Sequence, residues 1–384
     1  MQEAQSLPPR EGEPPPGHRD PVLGAGRQGS GLARTDSAKG LALPRGALRW
    51  GITGFVVASL IGFGVLFFLS EDLGASLSAF RRFDLRWGLL CLALASMDWF
   101  GGGVRIWVLL KPLQIRVSYW KCVQISGATA ALAYLTPSGA GGGPAHLYGL
   151  VREGVSVGRA AASNFASFLV NITFLSAAGL CAWFFGASST IEDLRLPVAH
   201  VSAARMFEWT ASGFAVIVAI IVLFAFNPRP LRGWLIKSFG GGRRVRTLLR
   251  WIHELHASLL IYIRKGKLAL LLATLSGALH FGGRFLLGWA VLRGFGIEAG
   301  FIQVITIHVM LQFLLTFMPT PGGTGVGEVL APALMRPFLP ASLLVAYTAI
   351  WRVFLTYLTV LAGGSLLMRW VGADHRRTAS PAGT

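Results

Sequence analysis

Ionisable side chains are rare inside the apolar stretches of this sequence, and each one there is a candidate for chemistry. Asp98 and Arg105 share one stretch, Arg284 lies in a second with His280, and Arg352 lies in a third. Glu328 follows directly on a run of glycines. A charge at membrane depth is costly, so it is retained with a partner or a task. The three guanidiniums could line a path for a phosphate, whose oxygens match their forked donors. The same arginines could instead pair with Asp98 or Glu328, and Arg105 could snorkel to an interface. Glu328 could cap a helix N-terminus, meet a cationic head group or carry a coupling proton.

Glycine and proline supply the second set of candidates. Thr136-Pro137-Ser138-Gly139-Ala140-Gly141-Gly142-Gly143 and Thr320-Pro321-Gly322-Gly323-Thr324-Gly325-Val326-Gly327 both read T-P-x-G-x-G-x-G. Each copy interrupts a hydrophobic segment, because proline removes a donor and the glycines remove side chains. Paired breaks in two halves of a membrane protein point to a transport site. Pro137, Gly139, Gly141, Gly142, Pro321, Gly322, Gly323 and Gly325 would turn backbone N–H groups and a half-helix N-terminus toward an anionic group. The plainer alternative is a close helix crossing that needs small residues. Neither copy continues into G-K-[ST], which argues against a nucleotide loop. His146 and Tyr148, just after the first copy, could bond a head group or pack at an interface.

Other chemistry is not expected. His280 and His308 have no partner at i+4, so no metal site is read, and His253 and His256 fall in a basic, solvated loop. Asn171-Ile172-Thr173 matches a glycosylation sequon but lies inside a span. Cys91, Cys122 and Cys181 sit in apolar stretches without metal-like spacing. No Ser/His/Asp or Cys/His arrangement stands out, so the chain is read as neither an enzyme nor a cofactor carrier.

The elements that must position these residues are membrane helices. The 384 residues are 53% hydrophobic and 14% charged, with a net charge of +18. Several apolar runs are long enough to cross a bilayer. Basic residues collect between the runs, as a topology signal or a lipid-attracting one, and nucleic acid is not an expected partner. Spans are read over 51–69, 87–110, 158–185, 209–226, 268–292 and 341–368, with interrupted segments over 122–150 and 301–338. Residues 1–45 read as a disordered basic Pro/Gly-rich tail, 46–370 as the integral membrane domain and 371–384 as a short tail.

If all eight segments crossed, the basic loop 227–266 would face outward, against the positive-inside rule. If the two broken segments dip in and return, that loop, the linkers 111–121 and 150–159 and both tails all become cytoplasmic. The loop 71–86, carrying Arg81, Arg82 and Arg86, is then the exception. The expected fold is an all-α polytopic membrane protein of six to eight transmembrane helices. Its two Gly-rich broken or re-entrant segments lie in inverted repeats.

The residues P-S-G-A-G-G-G-P-A-H-L-Y-G-L, followed by R-E-G-V-S-V-G-R-A, resemble the first glycine motif of the lysylphosphatidylglycerol synthase transmembrane-region family, also described as flippase-like. P-T-P-G-G-T-G-V-G-E, with Arg352 in the following span, resembles its second signature. The likeness runs over about residues 50–370. It implies an inner-membrane protein that moves or handles a lipid, anionic or aminoacylated, between leaflets. The soluble aminoacyl-transferase domain of the synthases would need several hundred further residues, so transferase activity is not expected. Many members carry an acid in the first motif where this chain has Gly143-Pro144, which leaves Glu328 as the only acid in the two motifs. Two other readings stand beside lipid translocation: a small-anion carrier, and a non-catalytic membrane partner of a lipid- or glycan-modifying enzyme.

Overall fold

The structure is a computed structural model describing residues 45–68, 78–182, 229–239 and 242–379 except 317, with a few isolated positions besides. All the continuous segments fall in one compact unit, Ala42–Thr384. Of the expected tail 1–45 only Arg45 is described, and it begins a helix; the loop 186–207 lies outside the described residues, and so does the span 209–226 apart from isolated positions.

The described residues form helices joined by turns and short irregular connections. Helix α1 is Arg45–Phe68, and a 3₁₀ turn at Phe80–Arg82 leads into α2, Leu85–Leu110. Asp84 starts α2 by accepting the Arg86 N–H at 2.9 Å, which satisfies one of the orphan donors of a helix N-terminus. The first interrupted segment is two helices, α3 (Tyr119–Tyr134) and α4 (Gly142–Arg152), and α5 is Val157–Ala182. Next come α6 (Arg229–Phe239), α7 (Arg243–Lys265) and α8 (Lys267–Gly294). The second interrupted segment is α9 (Phe301–Thr316) and α10 (Val326–Met335). The last membrane helix is α11 (Ala341–Arg352), a π-helical turn at Val353–Tyr357, and α12 (Leu358–Ala379).

Five stretches among the described residues are long and apolar enough to cross a membrane: Trp50–Phe68, Leu85–Leu110, Val157–Ala182, Lys267–Gly294 and Ala341–Asp374. They coincide with five of the expected spans. Two expectations differ. The basic loop 227–266 contains two helices, α6 and α7, and α12 runs through Ala379 where a tail was read from 371. Charge density does not oppose helix formation when the residues are good helix formers with an apolar stripe.

The core centres on α2 and α8, which cross closely at glycines. A side chain on Gly101 would bring Cβ to 2.6 Å from the His280 backbone nitrogen, and one on Gly283 would meet the Leu94 carbonyl. Phe281, Leu287 and Val291 of α8 pack with Leu311 and Phe313 of α9 and Tyr347 of α11 in one buried cluster. Ile106, Ile125, Leu132 and Leu150 form a second cluster with Leu367 of α12. Each interrupted segment is therefore walled by full-length helices. Helix α1 lies over both breaks, with Gly51 against Leu135, Gly54 near Pro321 and Gly62 against Gly325.

Candidate functional site

The two T-P-x-G-x-G-x-G copies fold alike. After each proline come two residues of positive φ: Ser138 (50°) and Gly139 (70°) in the first, Gly322 (60°) and Gly323 (66°) in the second. Their turn hydrogen bonds match too. Gly139 and Ala140 donate to the Thr136 and Pro137 carbonyls, as Gly323 and Thr324 do to Thr320 and Pro321. Glycine enters this left-handed region freely, whereas Ser138 is strained there. The Ser138 hydroxyl donates to the Met318 carbonyl at 3.2 Å, from one turn to the approach of the other. The turns themselves meet, with Pro137 paired antiparallel to Pro321.

The copies part where their second helices begin. The equivalent N–H groups of Gly141 and Gly325 both need acceptors. Thr136 Oγ1 takes that of Gly141 at 2.7 Å. Its counterpart Thr320 has a buried hydroxyl without a hydrogen-bond partner among the described residues, and Glu328 Oε2 accepts from Gly325 instead, at 2.7 Å. Pro144 stands where Glu328 stands in the second copy. The acid thus caps α10, the first of the roles open to it.

Two charged clusters flank this junction. Behind the second turn, Arg352 is fully buried and donates to Glu328 at 3.2 Å and to the Gly323 carbonyl at 2.9 Å. A side chain on Gly327 would occupy the place of its guanidinium. The π-helical turn begins at the next residue; such turns recur at functional sites. Between α2 and α8, Asp98 Oδ2 meets Arg284 Nη2 at 2.7 Å, and Asp98 Oδ1 meets His280 Nδ1 at 2.7 Å. Arg105 donates to Asn171 at 2.5 Å and lies within electrostatic range of both Asp98 and Arg284. The second turn therefore holds one guanidinium per carboxylate, whereas the α2–α8 cluster holds two guanidiniums for the single Asp98.

Tyr134, at the end of α3, stands between the clusters. Its ring lies 5.6 Å from the Arg284 guanidinium and within electrostatic range of Arg352, and its buried hydroxyl has no hydrogen-bond partner among the described residues. Gly322 packs on it so closely that a Cβ would come 3.0 Å from the Tyr134 carbonyl.

The structure brings Pro137, Gly139, Gly141, Gly142, Pro321, Gly322, Gly323, Gly325, Glu328 and Arg352 together around the paired turns. Asp98, Arg105 and Arg284 assemble beside them. His146 stays within the first half, 3.5 Å from Ser163. Tyr148 points elsewhere: its hydroxyl donates to Asp374 of α12, which Arg152 also contacts at 3.3 Å. His308 belongs to the core, with Nδ1 on the Val304 carbonyl at 2.8 Å and Nε2 on the Tyr347 hydroxyl at 3.0 Å. Sequence reasoning passed over Tyr134, gave Thr136 no role beyond opening the motif, and weighed Asn171 only as a glycosylation sequon. All three are polar residues facing neighbours inside membrane-embedded helices or their breaks, and polarity at that depth was the available signal.

Comparison with known proteins places most of the chain in one family. The family described as Lysylphosphatidylglycerol synthase TM region matches residues 52–363. A UPF0104 membrane protein of Archaeoglobus fulgidus is 24% identical over 296 residues, covering 74% of this chain and 87% of the relative.

Proposed function

The chain belongs to the lysylphosphatidylglycerol synthase TM-region family, and on that premise we propose that it moves a phospholipid head group between leaflets along the seam where its glycine turns meet. The observation that carries this reading is the pairing of Pro137 with Pro321. A residue that meets its own counterpart lies on the axis relating two copies, as at any isologous contact. That supports inverted repeats about an axis in the membrane plane.

Helix lengths support re-entrant segments. Helices α3 and α9 have 16 residues each, or about 24 Å, and α4 and α10 have 11 and 10, or about 15 Å. Each falls short of the ~30 Å apolar core. We read the two pairs as hairpins entering from opposite faces, with the stretch 209–226 as a sixth span. Both termini are then cytoplasmic and the protein sits in the inner membrane.

The phosphate would bind where positive charge is in surplus, at Arg105 and Arg284, while acyl chains remain in lipid. Arg352, matched by Glu328, would hold the second turn in shape. Nothing in this scheme makes or breaks a bond, so the protein is a transporter rather than an enzyme, and its partner is an anionic or aminoacylated phospholipid.

Reconstitution into vesicles with a fluorescent phospholipid tests the proposal. Wild-type protein should move the lipid faster than protein-free vesicles do. Arg105→Gln/Arg284→Gln should slow it about tenfold or more, the value of one or two charge-assisted hydrogen bonds. Wild type no faster than that variant would overturn the reading. Uptake of small anions with lipid left in place would assign the seam to an anion carrier instead.

A further inference from the structure

Helices α6 and α7 take no part in the site above, yet they hold a surface with its own chemistry. Helix α7 is not among the spans, and the C-terminal half of its apolar face is seated on the bundle. Leu259 and Tyr262 are buried among Leu109, Leu113, Ala162 and Ala273, and the Tyr262 hydroxyl donates to the Leu109 carbonyl at 2.8 Å. One residue, Gly266, separates α7 from the span α8. The C-terminus of α7 is thereby fixed at the boundary where an apolar span begins.

The same face continues toward the N-terminus through Leu255, Trp251 and Leu248, at helical spacing. There it emerges from the protein: Trp251 is 40% exposed and Leu248 is 38% exposed. Arg246 and Arg250 are exposed on the opposite side. Helix α6 repeats the combination, with Trp234 57% and Ile236 43% exposed beside the exposed Arg232 and Lys237. Glu254 is the only acidic residue between Arg229 and Lys267, and Ser156 donates to it at 3.3 Å. Among the described residues Arg232, Lys237, Arg246 and Arg250 form no ion pair, and exposed apolar and aromatic side chains run alongside them.

These two features select a partner. A nucleic acid or an acidic protein would use the arginines but leave Leu248, Trp251 and Ile236 in water. A bilayer interface takes both, apolar groups entering the acyl boundary and guanidiniums staying with phosphates. We propose that α6 and the N-terminal half of α7 form a platform for anionic phospholipid head groups, lying on the leaflet at whose surface α8 begins. This surface is separate from the turns and holds whether or not the protein moves lipid.

Hydrogen–deuterium exchange of the full chain in nanodiscs tests it, comparing zwitterionic lipid with lipid one-third phosphatidylglycerol. Amides of 243–251 should exchange roughly threefold more slowly with the anionic lipid. That protection should vanish in Arg246→Glu/Arg250→Glu, persist in Arg246→Lys/Arg250→Lys, and vanish in unmodified protein at about 1 M salt, where the screening length falls to about 3 Å. Amides of 259–265, seated on the bundle, should stay unchanged and report folding. Protection that ignores anionic lipid or salt, or that survives charge reversal with 259–265 intact, overturns the proposal. So does equal protection by a soluble polyanion in zwitterionic discs. If the Glu variant disturbs 259–265, the salt comparison on unmodified protein decides.

Discussion

At residue scale the sequence posed a choice that only packing could resolve. Arg352 read equally as a free cation and as an ion-pair partner, because linear spacing does not say which helix Glu328 faces. In the fold they pair, and Glu328→Ala should cost about 3–5 kcal/mol, since it leaves a buried guanidinium uncompensated. Adding Arg352→Met should recover part of that loss, which unfolding in detergent would measure. A second expectation concerns Ser138, whose type gives no hint of a positive φ. Ser138→Ala loses the bond to Met318 and keeps the strain, whereas Ser138→Gly loses the bond and relieves it. The glycine variant should therefore be the more stable of the two by about 1 kcal/mol. The repeat itself was plain in the letters. That Thr136 and Glu328 serve equivalent N–H groups in the two copies was not, because the acceptors come from opposite ends of the motif.

At the scale of elements, the long apolar spans and both interruptions were legible from hydropathy and from the Pro/Gly punctuation. Helices α6 and α7 were not, because the density of Arg and Lys reads as loop unless the stripe Leu248, Trp251, Leu255 and Leu259 is followed at helical spacing. The crossing of α2 and α8 yields a prediction with an internal control. Nothing lies within 4 Å of a Cβ on Gly282, but its neighbour Gly283 touches the α2 backbone. Gly282→Ala should stabilise by up to about 1 kcal/mol through helix propensity. Gly283→Ala should destabilise by about 1–3 kcal/mol through overpacking, seen as opposite shifts in Tm. In α1 the same contrast holds between Gly64, which is open, and Gly62, where a Cβ would come 2.8 Å from the Gly325 Cα. Gly62→Ala should loosen α1 from the second turn, and Gly64→Ala should not.

For the whole molecule, the charges of the loops imply a topology that single cysteines can check. Labels at Arg159 and Glu298 should react from opposite sides of a sealed vesicle. Reaction of both from one side would remove the inverted-repeat reading while leaving the charge clusters as they are. The sequence could not say that the two breaks touch, since hydropathy carries no information about which segments meet. That contact also bears on how the chain is made. Pro137 emerges from the ribosome and enters the membrane long before Pro321 has been translated. The first turn, with Ser138 held at positive φ, must therefore wait for a partner encoded in the other half of the gene. Contacts so distant in sequence close late in folding. The first half alone should then be an unfinished intermediate prone to degradation, rescued when the second half is co-expressed as a separate polypeptide. Biogenesis, rather than transport, is where loss of the Pro137–Pro321 contact should first be felt in a cell.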